Sequence, residues 1–134
     1  MTRPRWLDRA VLTAPYYYVL CLCEGDFHRE LKRLKVPQAT WPPFVRPGYG
    51  GQVAFFDVRG KSVAIVNISI QKRCTREEVY GLLIHEAVHL WQALRENMQE
   101  HSPASEQEAY IIQHLAQQLM CSYRDQTKRI RGKP

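Results

Sequence analysis

The segment from Thr75 to Leu94 constrains the fold more than any other part of the sequence. Thr75 is followed three positions later by Glu78, the pattern of a capping box at a helix start. Apolar residues then recur at helical spacing, at positions 79, 82, 83, 87, 90 and 94. This pattern predicts one long helix whose apolar stripe packs into the core of the protein.

Within this predicted helix, residues 85–89 read His-Glu-Ala-Val-His. Positions four apart lie one turn apart on the same face, so the imidazoles of His85 and His89 can reach one metal ion. Glu86 lies beside them and can take a proton from a metal-bound water molecule. The spacing predicts a zinc site with Glu86 as the catalytic base. The alternative is a structural helix that carries two incidental histidines.

A zinc site of this kind needs a third protein ligand. The extended pattern H-E-x-x-H-x-x-G-x-x-H fails, because Gln92 stands at the glycine position and Arg95 at the third histidine position. This departure removes the metzincin interpretation. Further along, Ser102 and Pro103 look like the start of a second helix, with Ser102 as the cap and Pro103 in the first turn.

The second helix offers two carboxylates, Glu106 and Glu108, and the residues alone leave the choice between them open. Its predicted core face lies nearer to Glu108. That face comprises Ala109, Ile112, Leu115, Ala116 and Leu119. Glu108 can instead pair with a nearby arginine or cap the helix together with Ser105.

Three other histidines are weaker ligand candidates: His28, His101 and His114. A ligand at His101, in the predicted connection between the two helices, would indicate a Spartan-type DNA-repair metalloprotease. His114 is expected to contact solvent or a helix end.

Taken together, the two helices resemble those of the gluzincin metallopeptidases. Residues 106–110, E-Q-E-A-Y, are similar to the E-x-x-A-[DN] element that supplies the third ligand in several gluzincin families. The pairing of HEAVHLWQ with EQEAYIIQ is similar to small zincin-like proteins of phages and their bacterial hosts. The resemblance covers residues 75–120 and implies Glu106 as the third zinc ligand. It also implies that Tyr110, at a position where Asp or Asn is usual, orients a ligand.

The composition bounds the class of protein. With 134 residues, the chain is expected to form one domain over residues 1–134. No apolar run reaches the roughly 18 residues of a membrane span. The cysteines form no C-x-x-C pair, so we expect reduced thiols in a cytoplasmic protein of a bacterium or phage-infected cell. They are Cys21, Cys23, Cys74 and Cys121.

The chain is basic, with a formal net charge of +6. Part of the charge comes from residues 125–134, which we expect to form a flexible tail. A basic surface can attract nucleic acid. No recognised nucleic-acid-binding motif accompanies it, so solvated faces are the simpler interpretation. The remaining basic residues that we considered are Arg29, Lys32, Arg33 and Lys35.

The rest of the sequence completes an expected α+β fold. Residues 6–12 are predicted to form a short helix and Tyr16–Leu34 a longer one, with a possible break at residues 25–26. Residues 52–57 and 62–70 are predicted as two strands. The result is a zincin-like small antiparallel sheet packed on three or four helices, with the metal-binding helix in the core.

A loop rich in proline, glycine and aromatic residues, 36–51, precedes the first predicted strand. It is either an irregular connector or a wall of the substrate cleft.

The function expected from these features is zinc-dependent hydrolysis of a peptide or protein substrate, through a zinc-bound water that Glu86 activates. Donors to the oxyanion are expected from Tyr110, His114 or the loop Trp41–Tyr49. Two alternatives remain: a binding protein that keeps the zincin scaffold without useful turnover, and a basic, DNA-associated metalloprotease. An intact Glu86 favours an enzyme, because a purely structural zinc site needs no base.

Overall fold

A computed structural model describes residues 3–4, 6, 16–71 and 73–128 of the chain. The fold is α+β, as predicted. In chain order the elements are β1 (Tyr16–Cys21), α1 (Glu24–Arg33), a short 3-10 helix (Gln38–Thr40), β2 (Gly51–Val58), β3 (Lys61–Ile68), α2 (Arg76–Asn97) and α3 (Ser105–Thr127). Among the described residues, no helix is long and apolar enough to cross a membrane.

The three strands form one mixed sheet in the order β1-β3-β2. β2 and β3 are antiparallel and joined by Arg59 and Gly60, whose φ angles of 52° and 76° suit a two-residue hairpin turn. β1 runs parallel to β3 along its whole length. The prediction of an antiparallel sheet is therefore wrong for one of the two pairings.

The prediction of a single helix over Tyr16–Leu34 is also wrong, because its first part is β1. Side chains of β1 alternate between two buried clusters, with Tyr18 and Leu20 on one face and Val19 and Cys21 on the other. A strand buried on both faces shows no alternation of apolar and polar residues, so its sequence resembles a buried helix. The helix α1 begins only at Glu24, so Gly25 and Asp26 start it rather than break it.

The sheet is covered on both faces. Helices α2 and α3 pack against one face and α1 against the other. The capping box at the start of α2 is confirmed: the Glu78 N–H donates to Thr75 Oγ1 at 3.1 Å, and the Thr75 N–H donates to the Glu78 carboxylate at 2.7 Å. Most of the predicted apolar stripe is buried. The two predicted strands of the hairpin are confirmed within two residues at each end.

Helix α3 differs from its prediction at both ends. It begins at Ser105 after Ala104, so Ser102 is not its cap and Pro103 is not in its first turn. It continues to Thr127, so residues 125–127 of the predicted tail are helical, and residues 129–134 lie outside the described residues.

The core face of α3 is rotated relative to the prediction. Ile111 is buried, Ile112 is half-buried and Ala109 is exposed, while Leu115, Ala116 and Leu119 are buried as predicted. Of the helix predicted over residues 6–12, only Trp6 is described, and it forms an isolated bridge with Val19.

Candidate metal centre

The two motif histidines lie side by side on the solvent-facing side of α2. The Nε2 atoms of His85 and His89 are 3.1 Å apart, and both side chains are exposed although the helix itself is part of the core. At this distance one Nε2 can carry a hydrogen and donate it to the other, whereas a shared metal ion would require a lone pair on both nitrogens. The one-turn spacing therefore brings the two nitrogens to a common point.

Gln92 fixes the orientation of one of these rings. Its Oε1 lies 3.0 Å from Nδ1 of His89. An Nδ1–H that donates to this oxygen leaves Nε2 of His89 with its lone pair directed at His85. In the sequence, Gln92 was informative only because it occupies the glycine position of the extended H-E-x-x-H-x-x-G-x-x-H pattern. Its position one turn after His89 was the signal that it could serve as a hydrogen-bond partner.

Glu86 lies beneath the histidines and is only 2% exposed. Its Oε2 is buried and has no hydrogen-bond partner among the described residues. Burial raises the pKa of the Glu86 carboxyl above its ordinary value, and the neighbouring His85 and His89 partly oppose this shift. A buried carboxylate oxygen without a partner is costly and points to a proton or ligand that it would meet.

Gly51, the first residue of β2, makes room for this carboxylate. A Cβ atom built on Gly51 would lie 2.9 Å from Glu86 Oε1 and 2.8 Å from Cδ1 of Ile68. Any larger residue would require one of these groups to shift. Neither periodicity nor composition singled out Gly51, because the contact between Gly51 and Glu86 joins positions that are 35 residues apart in the sequence.

An open cleft of about 330 Å³ lies between α2 and the first half of β2. β2 is an edge strand of the described sheet, so its outer side borders the cleft. The loop before β2 forms part of the wall of this cleft through Arg46 and Tyr49. The lining residues on the side facing the histidines are Arg46, Tyr49, Gly51, Gln52, Val53 and Phe55.

Glu108, one of the two candidate third ligands, joins α3 to α2. The indole Nε1–H of Trp91 donates to its Oε2 at 2.6 Å, and Nη1 of Arg95 lies 3.6 Å from the same oxygen. This agrees with the alternative that Glu108 pairs with a nearby arginine. The Glu108 carboxylate thus helps to hold α3 against α2 through its contacts with Trp91 and Arg95.

Glu106 and Tyr110 are exposed residues near the start of α3. The contacts Trp91–Glu108 and Tyr80–Tyr123 make α2 and α3 antiparallel, so Glu106 lies on the loop side of Glu108. No group of three His, Cys, Asp or Glu side chains placed to hold a metal occurs among the described residues. The structure therefore brings His85, Glu86 and His89 together but does not gather Glu106 with them.

The weaker histidine candidates lie in three different settings. His28 is on α1, across the sheet from α2, with its ring 5.0 Å from that of Trp41. His101 is exposed in the connection between α2 and α3. His114 is half-buried on α3, and its Nε2 has no hydrogen-bond partner within the described part of the chain.

Comparisons of the chain with protein-family models, with curated proteins and with solved structures gave no significant match. A functional assignment therefore depends on the residues and geometry of the cleft.

Proposed function

We propose that this protein is a zinc-dependent metallopeptidase with a zincin-like arrangement of helix and edge strand. The observation that carries the proposal is the 3.1 Å separation of the Nε2 atoms of His85 and His89 next to the buried carboxylate of Glu86. Two nitrogens bound to tetrahedral zinc at about 2.0–2.1 Å are separated by about 3.3 Å. The two rings therefore need to move little to hold the ion.

Zinc, when bound, would polarise the scissile carbonyl group and lower the pKa of water to about 7. Glu86 would accept the proton of the attacking water and pass it to the leaving amine. Its position in the floor of the cleft, against Gly51 and away from bulk solvent, suits a group that must keep and return a proton. Gln92 would hold His89 in the tautomer that ligation requires.

Glu106 is the third ligand in this proposal. Glu108 is already held by Trp91 and Arg95, so its use as a ligand would remove a contact between α2 and α3. Glu106 makes no such contact in the described part of the chain. Ligation by Glu106 requires the first turn of α3 to approach His89, and this turn follows directly on the connecting segment 98–104.

The edge strand offers a way to bind the substrate. An extended peptide could pair along the outer side of β2, an edge strand of the described sheet, and pass over His85 and His89. Arg46 and Tyr49 line the same cleft and are candidate donors to the developing oxyanion. Tyr110 and His114 lie on α3 and do not line the cleft.

Metal content and cleavage together test the proposal. Protein purified without added metal should contain about one zinc ion per chain, and a mixed peptide library should be cleaved in a reaction that a chelator stops. The variant His89→Ala should lose most of the metal. A zinc stoichiometry near zero that reconstitution does not raise would overturn the proposal. Full zinc occupancy without cleavage would favour the alternative of a binding protein on the same scaffold.

A further inference from the structure

A second concave surface lies at the opposite end of β2 from the histidine cleft. It is a hollow of about 510 Å³ beside the β2–β3 turn. Among the described residues, four cationic side chains line it together with the rings of Trp6 and Tyr17; they are Arg33, Lys35, Arg59 and Lys61. At about 3.3 Å per residue, the seven steps from Gly51 to Val58 place this hollow roughly 23 Å from Gly51, which lines the histidine cleft.

Aromatic rings hold two of the cations at the hollow. The guanidinium carbon of Arg33 lies 5.1 Å from the ring centroid of Trp6, and Nζ of Lys61 lies 5.7 Å from that of Tyr17. Glu30 partly neutralises Arg33 at 2.9 Å. The other three cations have no carboxylate within ion-pair distance in the part of the chain that the structure describes. The hollow is thus positively charged.

Two of these cations occupy backbone positions that favour other residues. Lys35 has a φ of 58° and lies just after the end of α1, where the Val36 N–H donates to the Leu31 carbonyl at 3.0 Å. Arg59 has a φ of 52° in the hairpin turn. Glycine and asparagine are the usual residues in both settings. Long cationic side chains at these two positions extend into the same hollow, at some expense of conformational energy.

The charged surface continues into an adjoining hollow of about 400 Å³. Lys35 and Arg59 line both hollows and form the boundary between them. Asp57 lines only the second one, where its carboxylate accepts a hydrogen bond from Ser62 Oγ at 3.1 Å. The two hollows form a groove with its cations concentrated in the first and at the boundary, which suits an elongated anion better than a compact one.

We propose that this groove binds single-stranded nucleic acid through its phosphodiester backbone. Grooves of this kind combine cations that follow the phosphates with aromatic rings. Trp6 and Tyr17 position Arg33 and Lys61 at the groove, and Lys35 and Arg59 stand where a strand would pass from one hollow to the next. The inference is independent of the metallopeptidase proposal, since it uses none of the residues of the histidine cleft.

The test is binding of a short fluorescein-labelled oligothymidylate, and of the oligoadenylate RNA of the same length, by fluorescence anisotropy between about 50 and 200 mM salt. The double variant Lys35→Asn/Arg59→Asn should keep or raise the melting temperature, because asparagine suits both left-handed positions. It should bind at least about tenfold more weakly at 100 mM salt. The magnitude of the slope of log K against log salt should fall by about 1.4, because each of the two lost phosphate contacts contributes about 0.7.

The matched control is Lys32→Gln/Arg76→Gln, which removes the same charge from exposed residues that do not line the groove. It should bind nearly as tightly as the parent. An equal loss in this control would overturn the groove assignment in favour of general attraction by net charge. Lys61→Gln, which changes neither turn, should also weaken binding. Failure of the parent to bind, or displacement of the oligonucleotide by polyglutamate at equal charge, would overturn the nucleic-acid assignment.

Discussion

Gly51 and Glu86 approach each other so closely that a Cβ atom at residue 51 would lie 2.9 Å from Glu86 Oε1. The same atom would lie 3.2 Å from the backbone oxygen of Asn67, which cannot move without disturbing β3. Gly51→Ala should therefore displace the Glu86 side chain and destabilise the fold by about 1–3 kcal/mol. Peptide cleavage should fall while zinc content stays near that of the parent, because no atom of either histidine is among the three atoms nearest to the new methyl group.

Gly81→Ala is the control for this prediction. Gly81 lies on α2, the same helix as Glu86, and a Cβ there would meet nothing within 4 Å. Alanine at an exposed helix position should stabilise the protein by about 0.5–1 kcal/mol. Equal effects of the two substitutions on thermal unfolding would show that Gly51 is not a close-approach position.

Glu86→Gln should retain zinc and the fold and lose turnover. The amide has nearly the same shape as the carboxylate but cannot accept the proton of the attacking water. Cleavage of a substrate found in the library screen should fall by two or more orders of magnitude, about the scale of a general base. Zinc content and melting temperature must be measured on the same preparation. Full activity in a zinc-replete variant would refute the role of Glu86.

The sequence predicted those elements of the fold that local patterns determine. The capping box of Thr75 and Glu78 and the apolar stripe after it define α2, and two runs rich in apolar residues define the strands β2 and β3. The strand β1 was missed because tertiary contacts on both faces determine it. Its parallel pairing with β3 depends on a crossover that no short window of sequence contains.

The residues of the candidate site also fall into a group that the sequence could predict and a group that it could not. The proximity of His85, Glu86 and His89 follows from helical spacing and was predictable. The contribution of Gly51 and Arg46 was not, because both come from a distant segment that only the tertiary fold places opposite α2. The position of Glu106 relative to the histidines depends on how α3 packs against α2. Residue patterns do not determine this packing, so they left the choice between Glu106 and Glu108 open.

The four cysteines are free thiols, and Cys21 should differ from Cys121 in reactivity and in its effect on stability. Burial, with smaller contributions from Glu30 and Asp26, raises the pKa of the Cys21 thiol far above its ordinary value. The unfolded chain therefore releases this proton at a lower pH than the folded one. The free energy of unfolding should fall as pH rises above about 8.5, by up to about 1.4 kcal/mol per pH unit from this group.

The comparison of the parent with Cys21→Ala isolates this contribution from other groups that titrate at high pH. The variant should be less stable at pH 7, because it leaves a small cavity, and should lose less stability between about pH 8.5 and 10. Iodoacetamide should label Cys121 rapidly in the native protein and Cys21 only on unfolding. Rapid labelling of Cys21 in the native state would contradict its burial between the sheet and α1.

The paired variants Glu106→Gln and Glu108→Gln should fail in different ways. Glu108→Gln removes the charge that faces Arg95 and weakens the hydrogen bond from Trp91, so it should lower the free energy of unfolding by about 1 kcal/mol with little change in zinc affinity. Glu106→Gln changes an exposed side chain, so it should leave the stability of the metal-free protein unchanged and weaken zinc binding by roughly tenfold or more.

Zinc affinity by competition with a chromogenic chelator, together with thermal unfolding of the metal-free proteins, measures both quantities. If Glu108→Gln is instead the variant that loses zinc, then α3 must rotate to release Glu108 from Trp91, and the third ligand comes from the face that the helical pattern favoured.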